Sequence, residues 1–242
     1  MPFCGSQSLA KFGGNRLQVS PLRCKTWACP DCGPRRAADL RWLARRGSPN
    51  IFLTLTIRKG VYETPQATAV ELAKGWRMLR QYLCRLLGRK SIPFLAVIEQ
   101  HKSGWPHMHL LLRTDFIDHR LIREWWQGRF NSPMIWIERL ENDRKAAFYV
   151  SKYMAKKPTA FEGCKRYWRS QDYENKALRP PKPDRDEDVY FEVMMAPVES
   201  VMHYAIRDGA RVTFDGFRAV IEHWHVLDMR RWGIQGRKGR GV

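Results

Sequence analysis

No stretch of the chain approaches the ~18 consecutive apolar residues that a membrane-crossing helix needs, so an integral membrane protein is not expected. There is no GxxxxGK[ST] segment, hence no P-loop motor, and no internal repeat or low-complexity block. The opening residues MPFCGSQSLAKFGG lack an apolar h-region behind a basic n-region, so no secretory signal is expected and a reducing, cytoplasmic setting is. Acidic residues are scarce: 24 Asp+Glu stand against 43 Lys+Arg in 242 residues, a formal net charge of +19. An excess of that size points to a polyanionic partner, nucleic acid before anionic membrane, with a merely solvated surface as the competing account. The 44% hydrophobic content is enough for a core and too much for a disordered polybasic segment. The six cysteines, in a reducing compartment, are thiols or metal ligands.

Residues 1–34 are rich in Gly, Pro, Ser and Cys without a sustained period, which predicts a small loop-built Cys-rich module outside any sheet. Arg35 to Arg46 predicts a short basic amphipathic helix, and Ile51 to Ile57 (IFLTLTI) a half-buried strand. Thr64-Pro65 opens a long helical pattern through Val70, Leu72, Trp76, Leu79, Leu83 and Leu86, with Gly88 as its stop. Phe94 to Glu99 and His107 to Leu112 flank HKSGWP and predict a hairpin. Asp118 is placed to cap the helix HRLIREWWQGRF, Met134 to Arg139 predicts a strand, and Asn142 is placed to cap DRKAAFYVSKYMAKK, which Pro158 ends. Residues 158–188 read as an exposed polar connector, 189–228 as an α/β continuation of unknown order, and 229–242 as a basic tail. In that tail Arg230, Arg231, Arg237, Lys238 and Arg240 are candidates for phosphate contacts. The element order argues for an α+β fold with a largely antiparallel sheet.

Side chains alternate faces along a strand, so His107 and His109 in PHMHLLL share one face while Met108 and Leu110 take the other. A turn centred on Ser103 makes Glu99 the cross-strand neighbour of His107 on that same face. Two imidazoles and a carboxylate with open positions suit a divalent ion that polarises a phosphoryl oxygen, Mg²⁺ or Mn²⁺ before Zn²⁺. The alternative is a pair of strand histidines that face solvent or satisfy local hydrogen bonds. On the helix, Tyr149, Lys152, Tyr153 and Lys156 fall at i, i+3, i+4 and i+7 and share one basic, phenolic face. An aryl oxygen attacking a phosphodiester must lose its proton near neutralising charge, which such lysines can supply. Tyrosines at this spacing also occur as core packing. Cys4, Cys24, Cys29 and Cys32 could close a tetrahedral structural Zn²⁺ site, with reduced structural thiols and then a redox pair as the alternatives. Ten tryptophans, among them Trp105 and the Trp125-Trp126 pair, serve either as core or as platforms for unpaired bases.

The order FLTLT strand, Glu99, His107-Met108-His109, then Tyr149-x-x-Lys152-Tyr153-x-x-Lys156 resembles the HUH endonucleases, the rolling-circle replication initiators of single-stranded-DNA phages and plasmids. YVSKYMAKK is similar to the paired-tyrosine helix of the phage initiators. The resemblance covers residues 51–157, within a core spanning 35–157. It implies a central antiparallel sheet flanked by helices, His107, His109 and Glu99 as metal ligands, and Tyr149 and Tyr153 as nucleophiles. The implied reaction is nicking of single-stranded or extruded origin DNA to leave a 5′-phosphotyrosine and a free 3′-OH, followed by strand rejoining. It also implies a host helicase and polymerase as partners, no membrane, and a bacterial cytoplasm if a phage or plasmid encodes the chain. An HUH transposase or relaxase is the alternative enzyme. A non-catalytic zinc-containing nucleic-acid-binding regulator is the alternative of another class.

Overall fold

The computed structural model describes residues 4–13, 16–115, 117–141, 145, 148, 149, 161–175, 190–216 and 218–222. In chain order the elements are β1 (Ser8–Gly13), β2 (Arg16–Pro21), α1 (Cys32–Arg46), β3 (Ile51–Thr56), α2 (Pro65–Leu86), β4 (Phe94–Gln100), β5 (Pro106–Leu112) and α3 (His119–Phe130). They continue with β6 (Ile135–Arg139), β7 (Tyr167–Arg169), β8 (Tyr190–Met194), α4 (Val198–Arg207), β9 (Arg211–Phe214) and β10 (Ala219–Glu222). Two five-stranded sheets with all pairings antiparallel make this an α+β fold. The chain divides into two units, residues 34–180 and residues 1–33 with 181–242. No helix among the described residues is long and apolar enough to cross a membrane.

In the unit of residues 34–180 the strand order is β6-β3-β5-β4-β7. The two-residue period of a strand puts Leu53, Leu55, Ala96, Ile98, Met108 and Leu110 on one face of this sheet. That face packs against Leu72, Trp76, Leu79 and Leu83 of α2 and Ile122, Trp126 and Phe130 of α3. Thr64 caps α2 by accepting from the Ala67 amide at 3.1 Å, with proline at the first turn, and Asp118 caps α3 by accepting from the Arg120 amide at 2.8 Å. Gly75 lets the two helices meet, since a Cβ there would lie 2.5 Å from the Phe130 ring. The opposite face carries Phe52, Thr54 and Thr56 of β3, His107 and His109 of β5, Glu99 of β4, and Trp136 and Glu138 of β6.

The other unit corrects the expectation that residues 1–34 lie outside any sheet. SLAKFG and RLQVSP pair as β1 and β2 and sit inside a sheet of order β8-β1-β2-β10-β9. Its core is Ala10, Phe12, Leu17, Val19, Met194, Ala219 and Ile221 under Val198, Val201 and Ala205 of α4. Each of β1 and β2 is six residues long and buries only two or three, Ser8, Ala10 and Phe12 in β1 and Leu17 and Val19 in β2, too weak a local pattern to stand out. The apolar partners that make it a strand lie some 170 to 210 residues on. Within the stretch expected as a polar connector, Tyr167–Arg169 adds β7 to the edge of the larger sheet beside β4. Lys152, Tyr153, Lys156, most of that connector and the basic tail, with Arg230, Arg231, Arg237, Lys238 and Arg240, lie outside the described residues.

Candidate active site and thiol cluster

The β4–β5 register sets Glu99 directly opposite His107 and Val97 opposite His109. The β3–β5 register sets Thr54 opposite His109 and Thr56 opposite His107. Each threonine hydroxyl meets the Nδ1 of its histidine, at 3.0 Å for Thr54–His109 and 3.1 Å for Thr56–His107. A Thr Oγ1 held at Nδ1 orients the ring and reserves Nε2 for another partner. For His109 that partner is the Glu99 Oε2, 3.1 Å from Nε2, so the carboxylate reaches the diagonal histidine rather than the one straight across. His109 is buried, and the His107 imidazole is pushed down to about 4 by burial and by the neighbouring His101 and His109, with Glu99 opposing. His107 is therefore neutral at pH 7, the state a metal ligand requires. The His101 ring, which the sequence singles out for no role, sits 4.7 Å from that of His107. Arg166 joins this neighbourhood: burial lowers its affinity for the proton, the Glu99 charge raises it and Arg36 lowers it.

Tyr149 lies over the same sheet face. Its ring stacks on Phe52 at 4.2 Å and 16°, and Phe52 in turn lies 5.7 Å from His109 at an interplanar angle of 12°. Its hydroxyl donates to Glu138 Oε2 at 2.5 Å, and Glu138 is the β6 residue directly opposite Phe52. The phenol thus has a ring clamp and a carboxylate acceptor. Two imidazoles and a carboxylate on one surface form a donor set for a divalent ion, and a phenol adjoins them through Phe52. Phe52, Thr54, Thr56, Glu138 and Arg166 join this surface although no sequence motif assigns them a role. The alternation in FLTLT carries the first three, and nothing local marks Glu138 or Arg166. Trp126 is core: it is fully buried and donates Nε1–H to the Thr56 carbonyl at 2.9 Å.

Residues 50–158 match the family model of replication-associated protein ORF2/G2P. The match contains the whole histidine, glutamate and tyrosine surface and supports a replication-initiator family. The chain is also 31% identical over 72 residues to an uncharacterized 36 kDa protein of Halobacterium salinarum. That alignment takes in 29% of this chain and 23% of the relative, so the chain spans under a quarter of the length of that curated protein. No solved structure matches.

In the other unit the Sγ atoms of Cys4, Cys24, Cys29 and Cys32 all lie within 4.8 Å of one another. Three of the separations are 3.4 Å (Cys4–Cys32), 3.5 Å (Cys4–Cys29) and 3.8 Å (Cys24–Cys32). A tetrahedron of thiolates around an ion at ~2.3 Å has edges of about 3.8 Å, so the spacing fits a structural metal such as zinc. The separations are far beyond the ~2.05 Å of a disulfide. Thr26, 3.3 Å from Cys24 Sγ, holds that thiol down at about 6 through its side-chain and backbone hydrogen bonds. The cluster brings together Cys4, four residues ahead of β1, Cys24 and Cys29 in the segment after β2, and Cys32, the first residue of α1.

Proposed function

We propose that the chain initiates rolling-circle replication by nicking single-stranded or hairpin origin DNA with a tyrosine nucleophile. The observation that carries this is one sheet face on which Tyr149, Phe52, His109, His107 and Glu99 adjoin, inside the span that matches replication-associated proteins. Tyr149 Oη attacks the scissile phosphorus, the bond to O3′ breaks, and a 5′-phosphotyrosine forms. The phenol proton passes to Glu138, its hydrogen-bonded acceptor, and the departing O3′ takes a proton from solvent to become the primer 3′-OH. Mg²⁺ or Mn²⁺ held by Glu99, His107 and His109 would supply Lewis-acid polarisation of the phosphate. Tyr153, with Lys152 and Lys156 as neutralising charges, is proposed as the second nucleophile that lets strands be exchanged and rejoined. The thiol cluster is proposed to hold structural Zn²⁺. A host helicase and polymerase would act on the opened strand.

A labelled single-stranded oligonucleotide incubated with protein and Mg²⁺ or Mn²⁺, then run on a denaturing gel, tests this directly. A covalent adduct that maps to Tyr149 or Tyr153 supports it, and adducts on both favour the paired-tyrosine initiator over a single-tyrosine transposase or relaxase. The net charge of +19 and the thiol cluster favour a second reading, a zinc-containing nucleic-acid-binding regulator. Tight DNA binding with no adduct under any divalent ion would select it.

A further inference from the structure

Trp136 has no part in the reaction above, yet its position is specific. It is 61% exposed on β6, the edge strand of the larger sheet. Cross-strand pairing places it at one end of a continuous row on the site face: Trp136, Thr54, His109, Val97 and Tyr167, one residue from each strand. An isolated exposed tryptophan needs no explanation. This one is the direct neighbour of the threonine that holds His109 Nδ1. Two strand spacings of ~4.8 Å put it about 10 Å from His109. A base attached to the nucleotide beside a phosphate at His109 falls within that range. Phe148, also 61% exposed, stands edge-on to Tyr149 and adds a second aromatic surface on the nucleophile's side.

We propose that Trp136 is a base-stacking platform that seats an unpaired nucleobase next to the scissile phosphate. The inference rests on the single-strand reading above and names a substrate-positioning residue within it. Nucleic acid is the occupant favoured by the net charge of +19 and by the row's alignment with the phosphate-directed histidine. Stacking on an indole is indifferent to base identity, so Trp136 would fix the strand's register without reading its sequence.

The test compares two probes on the full chain with no divalent ion added: an oligothymidylate of about 20 nucleotides, longer than most single-strand footprints, and an abasic strand of equal length with the same phosphates. Wild-type protein should prefer the first. Trp136→Ala should weaken binding to oligothymidylate by about tenfold, within the range one stacked base contributes, and leave the abasic strand and the salt slope unchanged. Trp136→Phe should keep most of the preference. Equal weakening on both probes, or no change on either, overturns the proposal. So does a change in oligomeric state with the preference intact, which would make β6 a contact with a second copy of the chain. Failure of the larger reading looks different: wild-type protein that binds neither probe refutes single-strand recognition itself. Wild-type protein that binds but never forms an adduct refutes nicking and leaves Trp136 to be judged by the probe preference.

Discussion

Thr54→Val and Thr56→Val test the proposed metal site through the groups that orient its histidines rather than through the proposed ligands. Valine keeps the β-branched shape and strand preference of threonine and removes only the hydroxyl. The backbone at residue 56 stays anchored, because its carbonyl still accepts from Trp126 Nε1 at 2.9 Å and Ser132 Oγ at 3.0 Å. What is lost is a hydrogen bond of 3.0 Å to His109 Nδ1 or of 3.1 Å to His107 Nδ1. Partners of this kind typically contribute ten- to a hundredfold to metal affinity. His109 is 9% exposed, so water replaces the lost hydroxyl poorly, whereas the more accessible His107 can recruit water. The expected shift in the Mg²⁺ or Mn²⁺ midpoint for nicking is therefore about tenfold or more for Thr54→Val and roughly two- to fivefold for Thr56→Val, with maximal rates at saturating metal near wild type. A hydroxyl can donate to or accept from Nδ1, so Thr54 can serve both the metal-free state, in which His109 Nε2 faces Glu99, and a state in which Nε2 binds an ion and the ring carries its proton on Nδ1. Unchanged midpoints, or a fall in maximal rate at an unchanged midpoint, would refute the orienting role.

His107→Ala and His109→Ala should each abolish nicking and leave DNA binding largely intact, whereas Glu99→Ala should be partly rescued by more metal; full activity in chelator would remove the metal from the mechanism. Glu138→Gln keeps an acceptor for the Tyr149 hydroxyl and removes the proton sink, so adduct formation at Tyr149 should slow by ten- to a hundredfold and adducts at Tyr153 should persist; equal loss at both tyrosines would argue for a structural role. Cys29→Ser should release about one bound Zn²⁺ and destabilise residues 1–33, and elemental analysis finding no zinc in protein purified without chelators would refute the site. His107 is held at about 4 instead of 6.5. As pH falls through that window the unfolded chain takes up a proton that the folded imidazole refuses, so stability of the metal-free protein should drop on acidification from 6.5 towards 4. His107→Gln should flatten that slope in urea titrations, and an unchanged slope would mean that other groups set it.

What could be read from the sequence was local. Helices α2 and α3 announce themselves by their caps and their apolar period, and the β4–β5 hairpin by a five-residue link that contains Gly104, at φ 85°. The turn geometry then fixes the pairing of Glu99 with His107, because His101 and Trp105 close it with a 2.8 Å hydrogen bond. Contacts between distant segments were not legible. Nothing near residue 54 says that it will meet residue 109, and nothing near residue 138 says that its carboxylate will meet the hydroxyl of residue 149. The second sheet was hidden for the same reason, since β1 and β2 acquire their partners from β8 and β10 near the other end of the chain. The tryptophans divide along this line too: sequence leaves each of them open between core and base platform, and the fold buries Trp126 while it exposes Trp42 and Trp136.

The same two-residue period explains why a sheet of this kind can hold the chemistry. Three adjacent antiparallel strands, β3, β5 and β4, bury one set of alternating residues under α2 and α3 and leave the other set on a rigid surface. A shift of one residue in the β3–β5 register would carry His107 and His109 away from their threonines, and a shift within β5 itself would turn both histidines into the core. The cost of exposing Met108 and Leu110 in place of the histidines, at about 1.5–3 kcal/mol for each large side chain, holds His107 and His109 on the opposite face. The hydrophobic face therefore sets the position of the face proposed to be catalytic. Substitutions at Met108 or Leu110 that loosen this register should impair nicking without touching any polar group of the site.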